Sequence, residues 1–257
     1  MARRLRLLSH GLGFDIRGWP VGAAGWAELV DQLRRARVTL VIDGGANTGQ
    51  YAATLRRAGY DGRILSVEPL PTAHAVLCRR AAGDRLWDVA PPLALGSGAG
   101  DSTLYVSAES DMSSLLAQRS DFARRSPSSA VERQERVAVT TLAHEWERWV
   151  RPGERVFVKL DVQGGEAAAL DGAAAVMERI AGWQIELSLT PLYEGEAPWR
   201  QIADHLAAAG FRLCQVIPGY YDRRLGRMVQ FDGVFFRTAS DAGGAHTAGT
   251  AMDGAAT

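Results

Sequence analysis

The chain has 257 residues, of which 47% are apolar, and it carries 29 basic and 29 acidic side chains, so its formal net charge is zero. This composition is typical of a soluble globular protein that is long enough for one large domain. Nucleic acids and anionic membranes recruit proteins through clustered excess Lys and Arg, so the neutral balance predicts no nucleic-acid partner.

The N-terminal segment, residues 1–37, contains one predicted helix at residues 24–37. Its basic start lacks an apolar core long enough for a signal peptide, and no later stretch reaches the roughly 18 apolar residues of a membrane span. We therefore expect no membrane insertion and a cytoplasmic location. Cys78 and Cys214 lie far apart in apolar-patterned segments, which predicts buried free thiols.

Residues 38–237 alternate strand-length apolar runs with segments of helical period. This pattern predicts an α/β, Rossmann-like fold with a mostly parallel sheet and helices on both faces. The tail, residues 238–257, is small, polar and aperiodic, so we expect it to be disordered. The predicted strands lie, in chain order, in TLVIDGG, GRILSVEP, LWDVAPPLALG, ERVFVKLDVQGGE, WQIELSLTP, FRLCQVI and MVQFDGVFFRT.

Residues 97–140 interrupt the alternation and predict a β-rich insertion after strand three, with strands in STLYVSA and ERVAVTT. Because substrate choice in a shared fold comes from added segments, we predict that the insertion is an acceptor lid. Met112, Ser113 and Ser114 are expected to line its pocket, and the PGYYDRRLGRM stretch to close the other side. An ordinary long hairpin is the alternative interpretation.

The stretch VIDGGANTGQY, residues 41–51, places a strand that ends in an acid before a glycine-rich turn and a helix. This arrangement predicts a nucleotide-like ligand at the carboxyl edge of the sheet. No Lys follows Gly49, which argues against a triphosphate, and Ala46 occupies the middle glycine position of a dinucleotide fingerprint. A short-chain dehydrogenase would place a Tyr four residues before Lys159, and Arg155 stands there. A turn that needs glycine only for positive φ is the alternative.

Two acids end the first two predicted strands. Asp43 ends strand one, and Glu68 ends strand two, 25 residues later. A carboxylate at the end of strand two is well placed to accept hydrogen bonds from both ribose hydroxyls, so we predict that Glu68 binds a ribose.

Polar residues also interrupt strands four and five. The period of two puts Lys159 and Asp161 on one face of strand four, and Gln184, Glu186 and Ser188 on one face of strand five. A buried parallel strand should be apolar on both faces, so these side chains indicate a ligand site at the carboxyl edge.

Several segments in the right order resemble the FkbM family of methyltransferases: DGGANTGQY, SVEP, ALG, SSL at 113–115, VTTLAHE and KLDVQGGE at 159–166. The resemblance covers residues 38–237. It implies a class I methyltransferase fold with a seven-stranded sheet whose last strand is antiparallel. It also implies methyl transfer from S-adenosylmethionine, often to a hydroxyl on a sugar, glycolipid or polyketide-like product. The implied cofactor-binding residues are Asp43, Gly44, Gly45, Ala46, Asn47, Gly49, Glu68 and Leu95.

Methyl transfer to an alcohol needs a group that orients the hydroxyl and accepts its proton. We predict that Asp161 is this catalytic group, with Lys159 either holding it or stabilising developing oxyanion charge. Glu166 is a candidate substrate or cofactor contact, and Glu186 is a candidate second carboxylate near the substrate. A buried ion pair between Lys159 and Glu186, and a capping role for Asp161, are the structural alternatives.

Other properties of the site stay open. Asp161 and Glu186 could supply two oxygen ligands to magnesium, but no adjacent acid pair ends a strand, so magnesium is not favoured and no metal site is predicted. The expected acceptor is a small molecule or glycan of bacterial natural-product or cell-surface biosynthesis. Transfer to an amino group, a non-catalytic nucleotide-binding module and a homo-oligomer are alternatives that the sequence leaves open.

Overall fold

The computed structural model of the protein describes residues 25–238. The predicted tail, beyond its first residue, and most of the N-terminal segment lie outside these residues. No helix in the described part of the chain is both long and apolar enough to cross a lipid bilayer.

The strands, in chain order, are β1 (Leu40–Gly44), β2 (Arg63–Val67), β3 (Trp87–Val89), β4 (Ala94–Leu95), β5 (Gly100–Ser107), β6 (Val131–Thr140), β7 (Val156–Leu160), β8 (Ile180–Ser188), β9 (Phe211–Pro218), β10 (Tyr221–Asp222), β11 (Arg227–Met228) and β12 (Gln230–Arg237). Seven of them form the central sheet, in the spatial order β3-β2-β1-β7-β8-β12-β9. Neighbours are parallel from β3 to β8, whereas β12 is antiparallel to β8 and β9. The predicted mostly parallel sheet with an antiparallel last strand is confirmed.

The α-helices are α1 (Trp26–Arg35), α2 (Gln50–Arg57), α3 (Pro71–Ala81), α4 (Ser120–Arg125), α5 (Leu142–Trp149), α6 (Glu166–Asp171) and α7 (Trp199–Ala208). Local sequence explains several of their limits. Pro71 opens α3, where its missing N–H has no intrahelical partner to lose. Thr141 caps α5, because its side chain accepts a hydrogen bond from the backbone N–H of His144.

Both faces of the central sheet are covered by apolar layers. Alternate residues of β1 belong to different layers: Leu40 and Ile42 pack with the cluster that contains Trp183, and Val41 packs with the cluster that contains Phe157. Since the central strands are buried on both sides, they read as continuous apolar runs. A charged residue in such a run therefore needs a partner or a function.

The predicted insertion joins β4, which precedes it, in a second, three-stranded sheet in the order β4-β6-β5. The single strand predicted within LWDVAPPLALG is instead two short strands, β3 in the central sheet and β4 in the second sheet. Pro91 and Pro92 separate them, and proline cannot donate to a ladder of hydrogen bonds. The PGYYDRRLGRM stretch forms the β10–β11 hairpin.

Both cysteines are free, but they are exposed, so the prediction of buried thiols was wrong. Cys78 lies on the outer side of α3. Cys214 lies on β9, which is the edge strand of the central sheet, where one side of the strand has no neighbour.

Candidate cofactor and acceptor site

A cavity of about 400 Å³ opens at the carboxyl ends of β1, β2 and β7. Its wall is built from the loop after β1, the segment after β2, the turn after β7 and residues 110–116 of the insertion, which we call its inner loop. The predicted site residues that line it are Gly45, Ala46, Asn47, Glu68, Leu95, Ser113, Ser114, Lys159 and Asp161. The predicted residues Asp43, Gly44, Gly49, Glu166 and Glu186 lie behind this wall.

The backbone N–H groups of the loop after β1 donate hydrogen bonds to other groups of the protein. The N–H groups of Gly45 and Ala46 both donate to the Val67 carbonyl at 3.0 Å, and the Gly49 N–H donates to the Ala46 carbonyl at 2.8 Å. The Asn47 N–H donates to Glu68 Oε2 at 2.8 Å. A phosphate cradle needs such N–H groups free and converging, so this loop is unsuited to a phosphate.

The glycines of this loop are required by protein packing. Gly45 has φ of 73°, and a Cβ on it would lie 1.8 Å from the backbone oxygen of Asp161. Gly49 has φ of 86°, and a Cβ there would press on Leu77 and Trp87. The space beside these two glycines is filled by the turn after β7 and by α3 with β3, so it is not available to a ligand.

Glu68 is held rigidly at the end of β2. Its Oε1 accepts the N–H of Leu70 and its Oε2 accepts the N–H of Asn47, each at 2.8 Å. Burial raises the pKa of Glu68, while these two backbone hydrogen bonds oppose the rise. Each oxygen keeps a lone pair, so the carboxylate can still accept hydrogen bonds from a ligand in the cavity.

Lys159 lies between two aspartates. Asp43 is its register partner across the β1–β7 pair, and its Nζ lies 3.2 Å from Asp43 Oδ1 and 3.3 Å from Asp161 Oδ2. The Gly45 carbonyl accepts from Nζ at 3.2 Å, and the Tyr51 ring centroid lies 5.2 Å away. Burial lowers the pKa of Lys159, but the two aspartates outweigh burial and raise it above its usual value. Lys159 is therefore a cation at neutral pH.

The alternative ion pair between Lys159 and Glu186 is absent from the described residues. Glu186 Oε2 instead accepts from Gln163 Nε2 at 2.7 Å and from Gln230 Nε2 at 2.8 Å. Burial, with Asp161 nearby, raises the pKa of Glu186 well above its usual value.

Asp161 is the catalytic candidate, and its carboxylate is the exposed member of the cluster. Its side chain is 32% exposed, whereas Lys159 is 5% exposed and Asp43 is fully buried. Lys159 lies beside Asp161 Oδ2, and Gln163 Nε2 donates to Oδ1 at 2.7 Å. The carboxylate is thus fixed at both oxygens while it faces the cavity.

Glu166 has a structural contact. Its Oε1 accepts the backbone N–H of Val162 at 2.9 Å, which closes the turn after β7. Burial raises the pKa of Glu166 to about 8. The Glu166 side chain does not line the cavity. It could affect a bound substrate or cofactor only indirectly, by holding the turn after β7 in place.

Some residues that line the cavity were not identified from the sequence. Trp26 of α1 and Tyr51 of α2 form an aromatic pair with centroids 5.3 Å apart, and both line the cavity. Tyr51 Oη donates to Gln184 Oε1 at 2.9 Å. Asp232 lies in the same wall, and burial, then Asp161, raises its pKa to about 6. An acid within the apolar run of β12 is the same signal that identified Lys159, and it was available in the sequence.

The insertion reaches the cavity through its inner loop. Ser113 and Ser114 line the cavity as predicted, and Ser110 Oγ lies 3.1 Å from Asn47 Nδ2. Met112 does not line it, because its side chain packs with the Phe122 cluster.

The hairpin within PGYYDRRLGRM does not border the cavity in the described part of the chain. It packs on the outside of the insertion, where Tyr220 meets Phe122 at 6.4 Å between ring centroids and Asp222 meets Arg125 at 3.4 Å.

No group of three or more His, Cys, Asp or Glu side chains suited to a metal ion occurs within residues 25–238. The two oxygens considered for magnesium, on Asp161 and Glu186, both accept from Gln163 Nε2. An amide donor between two carboxylates occupies the place that a cation would need.

A family model described as the methyltransferase FkbM domain matches residues 43–213. No curated protein sequence matches the chain significantly. Similar solved structures include a putative O-methyltransferase from Klebsiella pneumoniae, with 11% identity and a TM-score of 0.48 over 92% of this chain and 89% of that chain. A putative RNA methyltransferase from Pyrococcus horikoshii has 14% identity and a TM-score of 0.45 over 84% and 83% of the two chains.

Proposed function

Since the chain belongs to the FkbM methyltransferase domain family, whose model matches most of its described residues, we propose that it methylates a hydroxyl group of a sugar, of a glycosylated or polyketide natural product, or of a cell-surface glycan. The resemblance seen in the sequence is confirmed at the level of the family, and with it a methyltransferase that uses S-adenosylmethionine. The acceptor and the methylated atom are the proposal.

The donor chemistry of the cavity fits S-adenosylmethionine. This cofactor carries no phosphate, and the loop after β1 has no free phosphate cradle. Glu68 would hold the ribose hydroxyls, with Asn47 and Leu95 beside the nucleoside. The carboxylates of the wall favour a ligand that carries positive charge. When bound, S-adenosylmethionine supplies an electrophilic methyl group on a sulfonium.

Asp161 would act on the acceptor. Its exposed carboxylate can accept a hydrogen bond from the acceptor hydroxyl, aim the oxygen lone pair and take the proton as the new bond forms. Both of its oxygens are held in place for this role, because Oδ1 accepts from Gln163 Nε2 and Oδ2 lies 3.3 Å from Lys159 Nζ. The observation that carries the proposal is that this carboxylate, which is contacted at both oxygens, faces the cavity beside a buried cation.

The charge of the wall favours an uncharged acceptor. Four carboxylates line the described cavity, on Glu68, Asp111, Asp161 and Asp232, against the single cation of Lys159. A hydroxyl is also preferred over an amine, because carboxylates would hold an amine in its protonated form, which has no lone pair to attack with. The β10–β11 hairpin lies away from the described cavity, so its arginines add no positive charge to this wall.

The first experiment measures cofactor binding by calorimetry with S-adenosylmethionine and, separately, NADH. We expect micromolar affinity for S-adenosylmethionine alone. Glu68→Gln should weaken it by about tenfold or more, because charge-assisted hydrogen bonds to the ribose are lost. The matched control is Glu147→Gln, at an exposed glutamate of α5, and thermal unfolding checks that Glu68→Gln is folded. A wild-type protein that binds NADH and not S-adenosylmethionine would overturn the cofactor assignment.

The second experiment screens hydroxylated sugars for methyl transfer. With an accepted sugar, Asp161→Asn should lower kcat by about 10²-fold to 10⁴-fold while the affinity for S-adenosylmethionine stays unchanged. Asp171→Asn, at an exposed aspartate of α6, is the control. Full activity in Asp161→Asn would show that another group receives the proton.

A further inference from the structure

Gln163 lies in the turn after β7, and its side-chain amide bridges two carboxylates. Its Nε2 donates to Asp161 Oδ1 and to Glu186 Oε2, each at 2.7 Å. The residue is 5% exposed, and its backbone has a left-handed φ of 54°, which is uncommon for a residue other than glycine. Both hydrogens of the amide are therefore committed to acceptors.

The orientation of this amide is dictated by its surroundings. Tyr193 Oη lies 2.8 Å from Gln163 Oε1 and donates to it. The competing acceptor for that hydrogen, the Met112 carbonyl at 3.0 Å, also receives the Ser107 hydroxyl at 3.1 Å. A flipped amide would turn its oxygen towards two carboxylates and its NH₂ towards a hydroxyl donor, so one orientation is strongly preferred.

The backbone around Gln163 is fixed as well. Ser114 Oγ, from the inner loop of the insertion, donates to the Gln163 carbonyl at 2.6 Å. A Cβ at the next residue, Gly164, would lie 2.9 Å from the Tyr193 ring. The turn is thus clamped between the insertion and Tyr193.

We infer that Gln163 is a positioning residue that holds the Asp161 carboxylate in the orientation needed by the acceptor hydroxyl. This inference rests on the proposed role of Asp161. Lys159 fixes one oxygen of Asp161 and Gln163 fixes the other, while the same amide also donates to Glu186. Tyr193 and Ser114 connect Gln163 to the insertion, because Tyr193 Oη lies within hydrogen-bond distance of the Met112 carbonyl and Ser114 Oγ donates to the Gln163 carbonyl. The insertion, which lines the acceptor side of the cavity, therefore also helps to hold Asp161 in place.

The first test replaces the amide with an apolar side chain of similar length. Gln163→Met should lower kcat by about tenfold to 100-fold, with KM for the acceptor and affinity for S-adenosylmethionine each within about threefold of wild type. The control is Gln118→Met, at a glutamine of the insertion whose amide contacts Ser129. An unchanged kcat, or a loss confined to cofactor affinity, would overturn the inference.

The second test introduces a charge at the same position. The ionisable groups around residue 163 include Asp161, Lys159, Glu166, Glu186, Tyr193, Glu196 and Asp232. In Gln163→Glu the new carboxyl must stay protonated to donate to either neighbour, so kcat relative to wild type should fall about tenfold as pH rises from about 6 to 9. A role limited to packing would give a ratio of variant to wild-type kcat that does not change with pH.

A third measurement needs neither cofactor nor acceptor. Crystal structures of the wild type and Gln163→Met should differ in the Asp161 side chain, whose χ1 should change by more than about 30°. An identical Asp161 side chain would overturn the inference even if the protein binds no S-adenosylmethionine. A failure to bind S-adenosylmethionine in the calorimetry would therefore contradict the proposed function, whereas an unchanged Asp161 side chain would contradict only the role of Gln163.

Discussion

Glu166 is a buried carboxyl whose pKa is raised by burial from 4.5 to about 8. Between these two values the unfolded chain has released the proton and the folded chain still holds it. The free energy of unfolding must therefore fall as pH rises through this window, by at most about 1.4 kcal/mol per pH unit from this group. Glu166→Gln keeps an acceptor for the Val162 N–H, so we expect a smaller fall between about pH 5 and 8, measured by urea unfolding.

The control for this prediction is Glu178→Gln, since Glu178 is exposed. Its unfolding free energy should follow the wild-type pH dependence. If Glu166→Gln and wild type lose stability in parallel over this pH range, the proton is released from Glu166 at a lower pH than burial implies.

The sequence predicted the charged residues of the cluster better than it predicted their contacts. Lys159 and Asp161 were identified because the strands of a buried parallel sheet are normally apolar on both faces, so charged residues there are unusual. The partner of Lys159 could not be inferred, since it depends on which strands flank β7 and on their register. Asp43 lies directly across from Lys159 on β1, whereas on β8 the register partner is Gln184, two residues before Glu186.

At the scale of elements, the loop after β1 and the turn after β7 are packed against each other. Gly45→Ala would force a Cβ to within 1.8 Å of the Asp161 oxygen and would require an L side chain at φ of 73°. We expect a loss of roughly 3 kcal/mol or more in unfolding free energy. We also expect weaker binding of S-adenosylmethionine, because both segments line the cavity.

The comparison for this prediction is Gly98→Ala, where a Cβ would meet no atom within 4 Å and no positive φ opposes it. Its stability should stay within about 0.5 kcal/mol of wild type. A Gly45→Ala protein as stable as Gly98→Ala would mean that the loop after β1 moves away from the turn at little cost.

In the insertion, sequence patterns predicted the strands but not the directions of individual loop side chains. Alternating residues correctly predicted the long strands β5 and β6, and Ser113 and Ser114 lie at the cavity. The side-chain directions of single loop residues were not predictable, because Met112 turns into an apolar cluster that is completed by Leu192 from a distant segment. The β10–β11 hairpin packs on the same part of the insertion, which depends on tertiary contacts and has no local signal.

At the scale of the whole molecule, the sheet order gathers acids from β2, β7 and β12 around one cavity. A formal net charge of zero thus conceals a strongly acidic described wall. We expect a neutral hexoside acceptor to have kcat/KM about tenfold or more above that of the matching uronic acid, because the added carboxylate is repelled. The ratio should shrink in Asp232→Asn, and methyl-transfer assays on both sugars measure it.

Salt provides the control for this prediction, since raising ionic strength should narrow the difference between the two sugars without changing the rate for the neutral one. A uronic acid that is methylated as fast as the neutral sugar at low salt would contradict a repulsive wall.

Lys159 has a further consequence, because it is the only lysine in the chain. Amine-directed acylating reagents have no other side chain to modify, and the Lys159 ammonium is shielded by Asp43, Asp161 and Tyr51. Lys159 borders the cavity but is only 5% exposed, so fast acylation requires that β7 separates from β1 or that the cavity floor, formed by Lys159 and the Asp161 beside it, opens. The rate of its labelling, read by mass spectrometry of one peptide, therefore reports how often the floor opens, and a ligand that closes the floor should slow it.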